Sequence, residues 1–504
     1  MDARVRMSLG DSDHVLRFLT ILAIGLAATV PASAPDAAIE EFVDDAMPAS
    51  LAPGIAYAVV ADEEEATVGA RGVLRSGDDA EITPDTPFLT GSISKSFTAL
   101  AVMQLVEAGE VALDEGISRY LDGFSGAPAG DITIRQLLSH TSGFSTLQGN
   151  ASHTDEDGGP DELARTVEAL EDVTPDHDPG ERWEYSNTNY QILGRLIEVV
   201  GGQPFDAYIE SRILEPVGME NSFVADGEVH ESMATGHVPW FWTKRPVTDT
   251  ATHRGTAPQG GVIASAADLA LYMQMMLNGE DDVLSAEGKA LMMRPASDAS
   301  PFYGFGWFID SAQGTVRHAG SSPGFETLAT MRPADGTGAV VLVNGGSGIG
   351  FGETTELRNG ITAIALGLDY GGEGSRWSQQ ALFIGLALLP VFYVISMVWA
   401  WHHRAAIRAK SGVAGQFSLW FPLLTTLVAA WVMLSLVPTM MGAPLGTVTL
   451  FQPDMGLVLI AGAVTGVVWA VLRLVIAFTG RSRRPDTAQA DADDKRYASG
   501  VAPK

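Results

Sequence analysis

The 504-residue chain carries 61 acidic against 31 basic residues, a formal net charge of −30, and no cysteine. The missing thiol excludes a cysteine nucleophile, a thiolate metal site and any disulfide framework. The charge is uneven: residues 35–376 hold 53 Asp and Glu against 18 Lys and Arg while the residues beyond hold 5 against 10, so the long acidic part would repel nucleic acid and anionic lipid surfaces.

At the N-terminus, Arg4, Arg6 and Arg17 surround the start of an apolar run, Phe18 to Val30, that ends in Pro31-Ala32-Ser33-Ala34. The run is too short to cross ~30 Å of hydrocarbon and closes on small residues at A-x-A spacing, so residues 1–34 read as an export signal. Ile55 to Val60 and Thr67 to Leu74, parted by the acidic run Asp62 to Glu65, predict a hairpin that starts an antiparallel sheet. Ser92 to Ala108 reads as a helix, with Ile93, Phe97, Leu100, Ala101, Met103, Leu105 and Val106 mostly at three-to-four spacing. Asp131 to Leu277 is mostly helical pattern with loops. Within it, the acidic loop Gly149 to Asp161 lacks the D-x-D-x-D-G spacing of a calcium site, so Asp155, Glu156 and Asp157 are expected to be solvated. Phe302 to Ile309, Thr315 to His318, Leu328 to Arg332 and Ala339 to Asn344 alternate with Gly-rich turns as strands would, and a helix from Glu353 to Leu368 closes the unit. Strands, a helical middle, then strands again predict an α+β fold: one antiparallel sheet built from both ends of the domain, flanked by helices, with a helical insertion.

Three later runs, Gln380 to Trp401, Leu419 to Met441 and Met455 to Phe478, are each long enough to span a bilayer. His402, His403, Arg404, Arg408 and Lys410 follow the first, Arg481, Arg483 and Arg484 follow the third, and Gly442 to Pro453 has no basic residue. The positive-inside rule then puts the preceding domain outside the cytoplasm, in agreement with the export signal. Arg473 is the one charge well inside these runs; it is expected to snorkel, and the bundle to act as an anchor rather than a channel or transporter. The expected organisation is a signal at 1–34, a globular domain at 35–370, a linker at 371–379, three transmembrane helices at 380–480 and a disordered cytoplasmic tail at 481–504. Only six of the basic residues are Lys, and a surface crowded with carboxylates suits high salt, where screening is strong.

Three short stretches carry the chemistry. Gly91-Ser92-Ile93-Ser94-Lys95 holds the only S-x-x-K of the chain, at a predicted strand-loop-helix junction. Three residues is nearly one helical turn, so the Lys95 amine can reach the Ser92 hydroxyl and, with its pKa lowered by burial or a nearby cation, take its proton. The helix start also offers backbone N–H groups to a developing oxyanion. Tyr185-Ser186-Asn187 is the only Y-x-N. A tyrosinate beside a lysine ammonium can serve as base and later as acid, and an Asn amide can hold a substrate carbonyl or the lysine. In Arg317-His318-Ala319-Gly320-Ser321 a strand ends at a glycine that lets its backbone approach a ligand, and His318 can donate a hydrogen bond or titrate near neutral pH. Gly320-Ser321-Ser322-Pro323-Gly324 also matches G-x-S-x-G, but a nucleophile elbow needs a helix next, and strand follows here.

In this order the three stretches resemble the serine β-lactamase and penicillin-binding protein superfamily, in particular the class C-like branch of β-lactamases, D-alanyl-D-alanine carboxypeptidases, D-aminopeptidases and carboxylesterases. The resemblance covers roughly Ala37 to Leu368 and extends to Ile132 to Gly143, Gly260 to Ser265 with Asp268-Leu269, and Pro323-Gly324-Phe325. It implies that Ser92 forms an acyl-enzyme, that Lys95 and Tyr185 shuttle its proton, and that Asn187 orients the substrate. It also implies an oxyanion hole from the backbone N–H groups of Ser92 and Ser321, with His318 and Gly320 beside the substrate. Where many relatives carry K-T-G this chain has His318-Ala319-Gly320, which lacks the lysine charge that helps bind a penicillin carboxylate. The expectation is a membrane-anchored extracytoplasmic serine hydrolase for an ester, amide or D-amino-acid peptide bond, acting on a small-molecule or peptide substrate, with membrane lipid around its anchor. No metal or organic cofactor is implied. The alternative is an inactive relative that senses or binds at the surface; the presence of Ser92, Lys95, Tyr185 and Asn187 together argues against it.

Overall fold

The computed structural model describes residues 35–61, 65–152, 159–247 and 253–479. The export signal, most of the acidic run at Asp62, the residues Asp155 to Asp157 and the tail with Arg481, Arg483 and Arg484 lie outside the described residues. A helix that the pattern did not predict, α1 (Pro35–Ser50), comes first and leads into β1 (Gly54–Val60) and β2 (Thr67–Gly72). The short β3 (Phe88–Leu89) ends at a 3-10 turn, Gly91–Ile93, that opens α2 (Ser94–Glu107). The middle of the chain supplies α3 (Thr146–Ala151) and α4 (Asn187–Gly201), the two-residue β4 (Phe223–Val224), a hairpin of β5 (His237–Trp240) and β6 (Thr243–Pro246), then β7 (Val262–Ala264) and α5 (Ala266–Leu277). β8 (Phe308–Asp310), β9 (Thr315–Ser322), β10 (Phe325–Arg332) and β11 (Thr337–Val343) precede α6 (Thr355–Leu366).

The main sheet runs β2-β1-β11-β10-β9-β8, with every neighbouring pair antiparallel, so strands from both ends of the domain meet at β1 and β11. Period-two alternation decides which face each residue serves. Ile55, Tyr57, Val341 and Val343 point to a layer built from Ile39 and Val43 of α1 and Leu357 and Ile361 of α6. Ala56, Ala58, Val60, Val340 and Leu342 point the other way, into the larger core around Phe97, Leu100 and Met103 of α2. A strand covered on both faces needs no polar side, which is why Gly54–Val60 reads as a continuous apolar run. The helix α2 is buried on almost every side for the same reason.

Two expectations change. The strand predicted over Phe302 to Ile309 contracts to β8, because Gly306, at φ +78°, turns the chain against α2, where a Cβ would stand 2.7 Å from the Cα of Ser96. The helical middle also contributes β4 and β7, which form a three-stranded sheet with β3, and the β5–β6 hairpin; these strands are too short to show alternation. Gly320 to Gly324 forms the end of β9 and a two-residue turn, with Ser322 paired to Phe325.

Beyond the domain, α7 (Trp377–His402), α8 (Gly412–Met440), α9 (Leu445–Phe451) and α10 (Pro453–Phe478) form a bundle, and α7, α8 and α10 are long and apolar enough to cross a membrane. Phe392, Ile395, Leu424, Val428, Val464 and Val468 face outward, as lipid contact requires. Arg473 donates to the Ser418 carbonyl at 3.2 Å, and Arg408 donates to the carbonyls of Ile476 and Thr479. The basic residues thus gather at one end of the bundle, and the catalytic-looking domain packs on the other. There Phe241, at the tip of the β5–β6 hairpin, donates its N–H to Asp454 Oδ2 at 2.7 Å and packs with Phe351 and Phe383 among Met433, Val448 and Met455.

Candidate active site

A close backbone approach builds the site. Gly91 sits at φ +56°, and a Cβ on it would stand 2.7 Å from the Ser321 nitrogen; a Cβ on Gly320 would stand 2.0 Å from the Thr90 carbonyl oxygen. Only glycine allows both contacts. The hydroxyl of Thr327 donates to the same Thr90 carbonyl at 2.7 Å, which fixes the turn to the sheet. Ser92 and Ser321 therefore line the same cleft.

Lys95, in the first turn of α2, is completely buried. Its Nζ lies 3.1 Å from Ser92 Oγ and donates to Asn187 Oδ1 and to the Gln259 carbonyl, both at 2.8 Å. Tyr185 donates its hydroxyl to Ser92 Oγ at 2.8 Å. Burial holds the Lys95 amine well below the ordinary lysine range and pushes the Tyr185 phenol well above its own. Burial thus works against both charged forms, the ammonium of Lys95 and the tyrosinate of Tyr185 alike. A neutral amine has two N–H bonds and one lone pair. Asn187 and Gln259 can only accept at these contacts, so they take the two N–H bonds and leave the lone pair for the Ser92 proton.

The Tyr185–Asn187 segment is held from behind by His140. That residue has φ +58°, and its Nδ1 accepts from the Ser186 N–H at 3.1 Å and from Asn189 at 3.0 Å while its ring packs 4.4 Å from that of Tyr185. Desolvation, with Lys95 and His318 next in effect, holds its imidazole well below neutral pH. His318 does not take the place expected of it. Its side chain is buried behind the cleft, with Nδ1 donating to the Ala319 carbonyl at 2.8 Å and Nε2 3.2 Å from the Tyr303 hydroxyl. Burial, then the Lys95 charge, pushes its pKa down to about 3. Strand alternation explains the outcome: His318 and Gly320 face inward while Ala319 and Ser321 face outward. The Ser321 hydroxyl is tied to Glu326 at 3.0 Å, and Glu326 pairs with Arg358.

The cleft has a volume of about 260 Å³, and the domain lines it with Ser92, Asn150, Tyr185, Asn187 and Ser321. The facing wall comes from the bundle: Met441, Ala443, Thr447, Val448, Phe451 and Gln452. Asn150 joins the two halves. Its Oδ1 accepts from Asn187 Nδ2 at 2.8 Å, its Nδ2 donates to the Gly442 carbonyl at 2.9 Å, and its own carbonyl accepts from the Thr447 hydroxyl at 2.9 Å. Sequence reasoning passed over Asn150, Gln259 and the 441–452 segment. A local cue existed for Asn150 in the capping box Ser145-x-x-Gln148, which starts α3 and fixes its register.

Comparison with known proteins bears on the family and the fold. The Beta-lactamase family profile matches residues 36–363. "Penicillin-binding protein 4" of Amycolatopsis lactamdurans is 36% identical over 323 residues, covering 59% of this chain and 82% of that protein. Among solved structures, the octameric penicillin-binding protein homologue from Pyrococcus abyssi superposes with a TM-score of 0.58 at 28% identity, covering 66% of this chain and 78% of that one. A class C β-lactamase superposes at 0.56 with 20% identity, over 69% of this chain and 99% of that one, a likeness of fold alone.

Proposed function

The chain belongs to the β-lactamase family, whose members are serine hydrolase-like and penicillin-binding proteins, and from that premise we propose that it is a membrane-anchored extracytoplasmic serine hydrolase working through a Ser92 acyl-enzyme. The observation that carries the reading is the placing of Ser92 Oγ between Lys95 Nζ at 3.1 Å and the Tyr185 hydroxyl at 2.8 Å. Lys95, neutral and held by Asn187 and Gln259, accepts the Ser92 proton as Oγ bonds to the carbonyl carbon. The developing oxyanion is received by the backbone N–H groups of Ser92 and Ser321. The proton then passes by way of Tyr185 to the departing amine or alcohol as its bond to carbon breaks, and water releases the acyl group by the reverse path.

The cleft residues named above include no Arg and no Lys, and burial works against a charge on the neighbouring Lys95. A substrate carboxylate therefore meets no counter-charge, which favours an ester, amide or D-amino-acid peptide over a penicillin. Placement of the domain outside the cytoplasm is supported by the basic cluster at the opposite end of the bundle. The test is labelling of the full chain by a fluorophosphonate. The wild type should label and Ser92→Ala should not; labelling that persists in the variant, or a wild type that neither labels nor turns over an aryl ester, overturns the reading in favour of a non-catalytic surface protein.

A further inference from the structure

The wall opposite Ser92 lies outside residues 36–363, the span shared with the family, so its chemistry comes from the bundle and not from the shared domain. It is mostly apolar. Ala443 and Val448 are buried against the domain and the bundle core, while Phe451 and Met441 carry the apolar surface outward. Met440, Met441 and Leu450 are exposed, which extends that surface from the cleft to the outer side of the bundle. The wall is also tied to the domain, because Gly442 and Thr447 are both hydrogen-bonded to Asn150. A water-filled cleft for a wholly polar substrate has no use for such a surface, whereas a hydrocarbon chain attached near the scissile carbonyl would lie along it and lose its contact with water.

We propose that residues 441–452 form an acyl-group subsite, and that the substrate is an amphiphile whose hydrocarbon chain lies against Met441, Val448 and Phe451 with its ester or amide carbonyl at Ser92. This rests on the hydrolase reading above and specifies its substrate class. The same hydrocarbon chemistry serves a dissolved amphiphile or one resident in the bilayer.

The experiment uses the full chain in lipid nanodiscs and measures kcat/KM for p-nitrophenyl acetate and octanoate. Burying two or three methylenes at about 0.8 kcal/mol each predicts that the wild type favours the octanoate by about tenfold or more. Val448→Ser and Phe451→Ala, each checked for an intact site by fluorophosphonate labelling, should lower that ratio severalfold. Diluting the octanoate with inert lipid at constant bulk concentration separates the sources: a rate that follows its mole fraction identifies bilayer delivery, and an unchanged rate identifies delivery from water, the subsite standing in both cases. Acetate turnover with no preference for the longer chain, or variants that slow both esters by one factor, overturns the subsite and leaves the hydrolase intact. No labelling and no turnover of either ester overturns both.

Discussion

The domain and the bundle solve the problem of interior polarity in opposite ways. The domain buries Lys95, His140, Asn187, Asn189, Gln259 and His318 around one hydroxyl. Its larger apolar core, around α2, supplies the low-dielectric surroundings that shift Lys95 and Tyr185. The bundle packs small residues instead: a Cβ on Gly462 would meet Met433, and one on Gly466 would meet Tyr393. Away from the junction, where Thr447 reaches the Asn150 carbonyl, hydroxyls of its long helices return to their own backbone, as Thr465 does to the Ala461 carbonyl at 2.6 Å and Thr426 to Pro422 at 2.8 Å. A region whose polar groups are spent on its own backbone can lend a neighbour shape but no acid or base. Chemistry therefore belongs to the domain and shape to both.

The sharpest way to test that division is Lys95→Met, which removes the base and leaves the bundle wall untouched. Acylation of Ser92, read as the rate of fluorophosphonate labelling, should fall on the order of 10⁴-fold with the circular dichroism spectrum unchanged. A smaller effect comes from the junction itself. Asn150→Ala leaves Asn187 Nδ2 and the Gly442 carbonyl without their bonds to the Asn150 side chain and loosens the wall, and loss of a buried hydrogen-bond partner is worth about 1–3 kcal/mol. Turnover should drop about tenfold together with a lowered thermal midpoint of the full chain; an unchanged rate would separate the bundle from catalysis. The smallest effect concerns Lys244, on β6 of the docking hairpin, whose amine donates to the carbonyls of Gly346 and Gly352. Burial pushes its pKa from 10.5 down to about 8. Between those values the unfolded chain binds the extra proton, so stability rises with pH through that window. The thermal midpoint should climb over the same range, and less steeply in Lys244→Met.

Much of the site was legible because its members sit in short local patterns. Ser92 and Lys95 share one helical turn, and Tyr185 with Asn187 form a triplet whose function needs no knowledge of distant contacts. The sheet was legible from both ends because β1 and β11 are apolar enough to be central. His318 was misplaced because a triplet says nothing about which side of a strand faces the cleft, and that is settled by the register of β9 on β10. Asn150 and Gln259 were missed because their roles arise from pairings 37 and 164 residues away in sequence. The segment 441–452 read as an uncharged loop because its partner, Asn150, is 292 residues earlier.

A connection between two membrane helices is ordinarily where a chain tolerates insertion, since little packs on it. Here the two connections differ. An epitope placed near Lys410, between the first and second long apolar helices, lands at the far end of the bundle, whereas the same epitope between Gly442 and Gln452 lands in the Ser92 cleft. Domain and bundle are thus not interchangeable parts, and a chimaera that keeps the domain but borrows another protein's helices inherits a cleft open on one side.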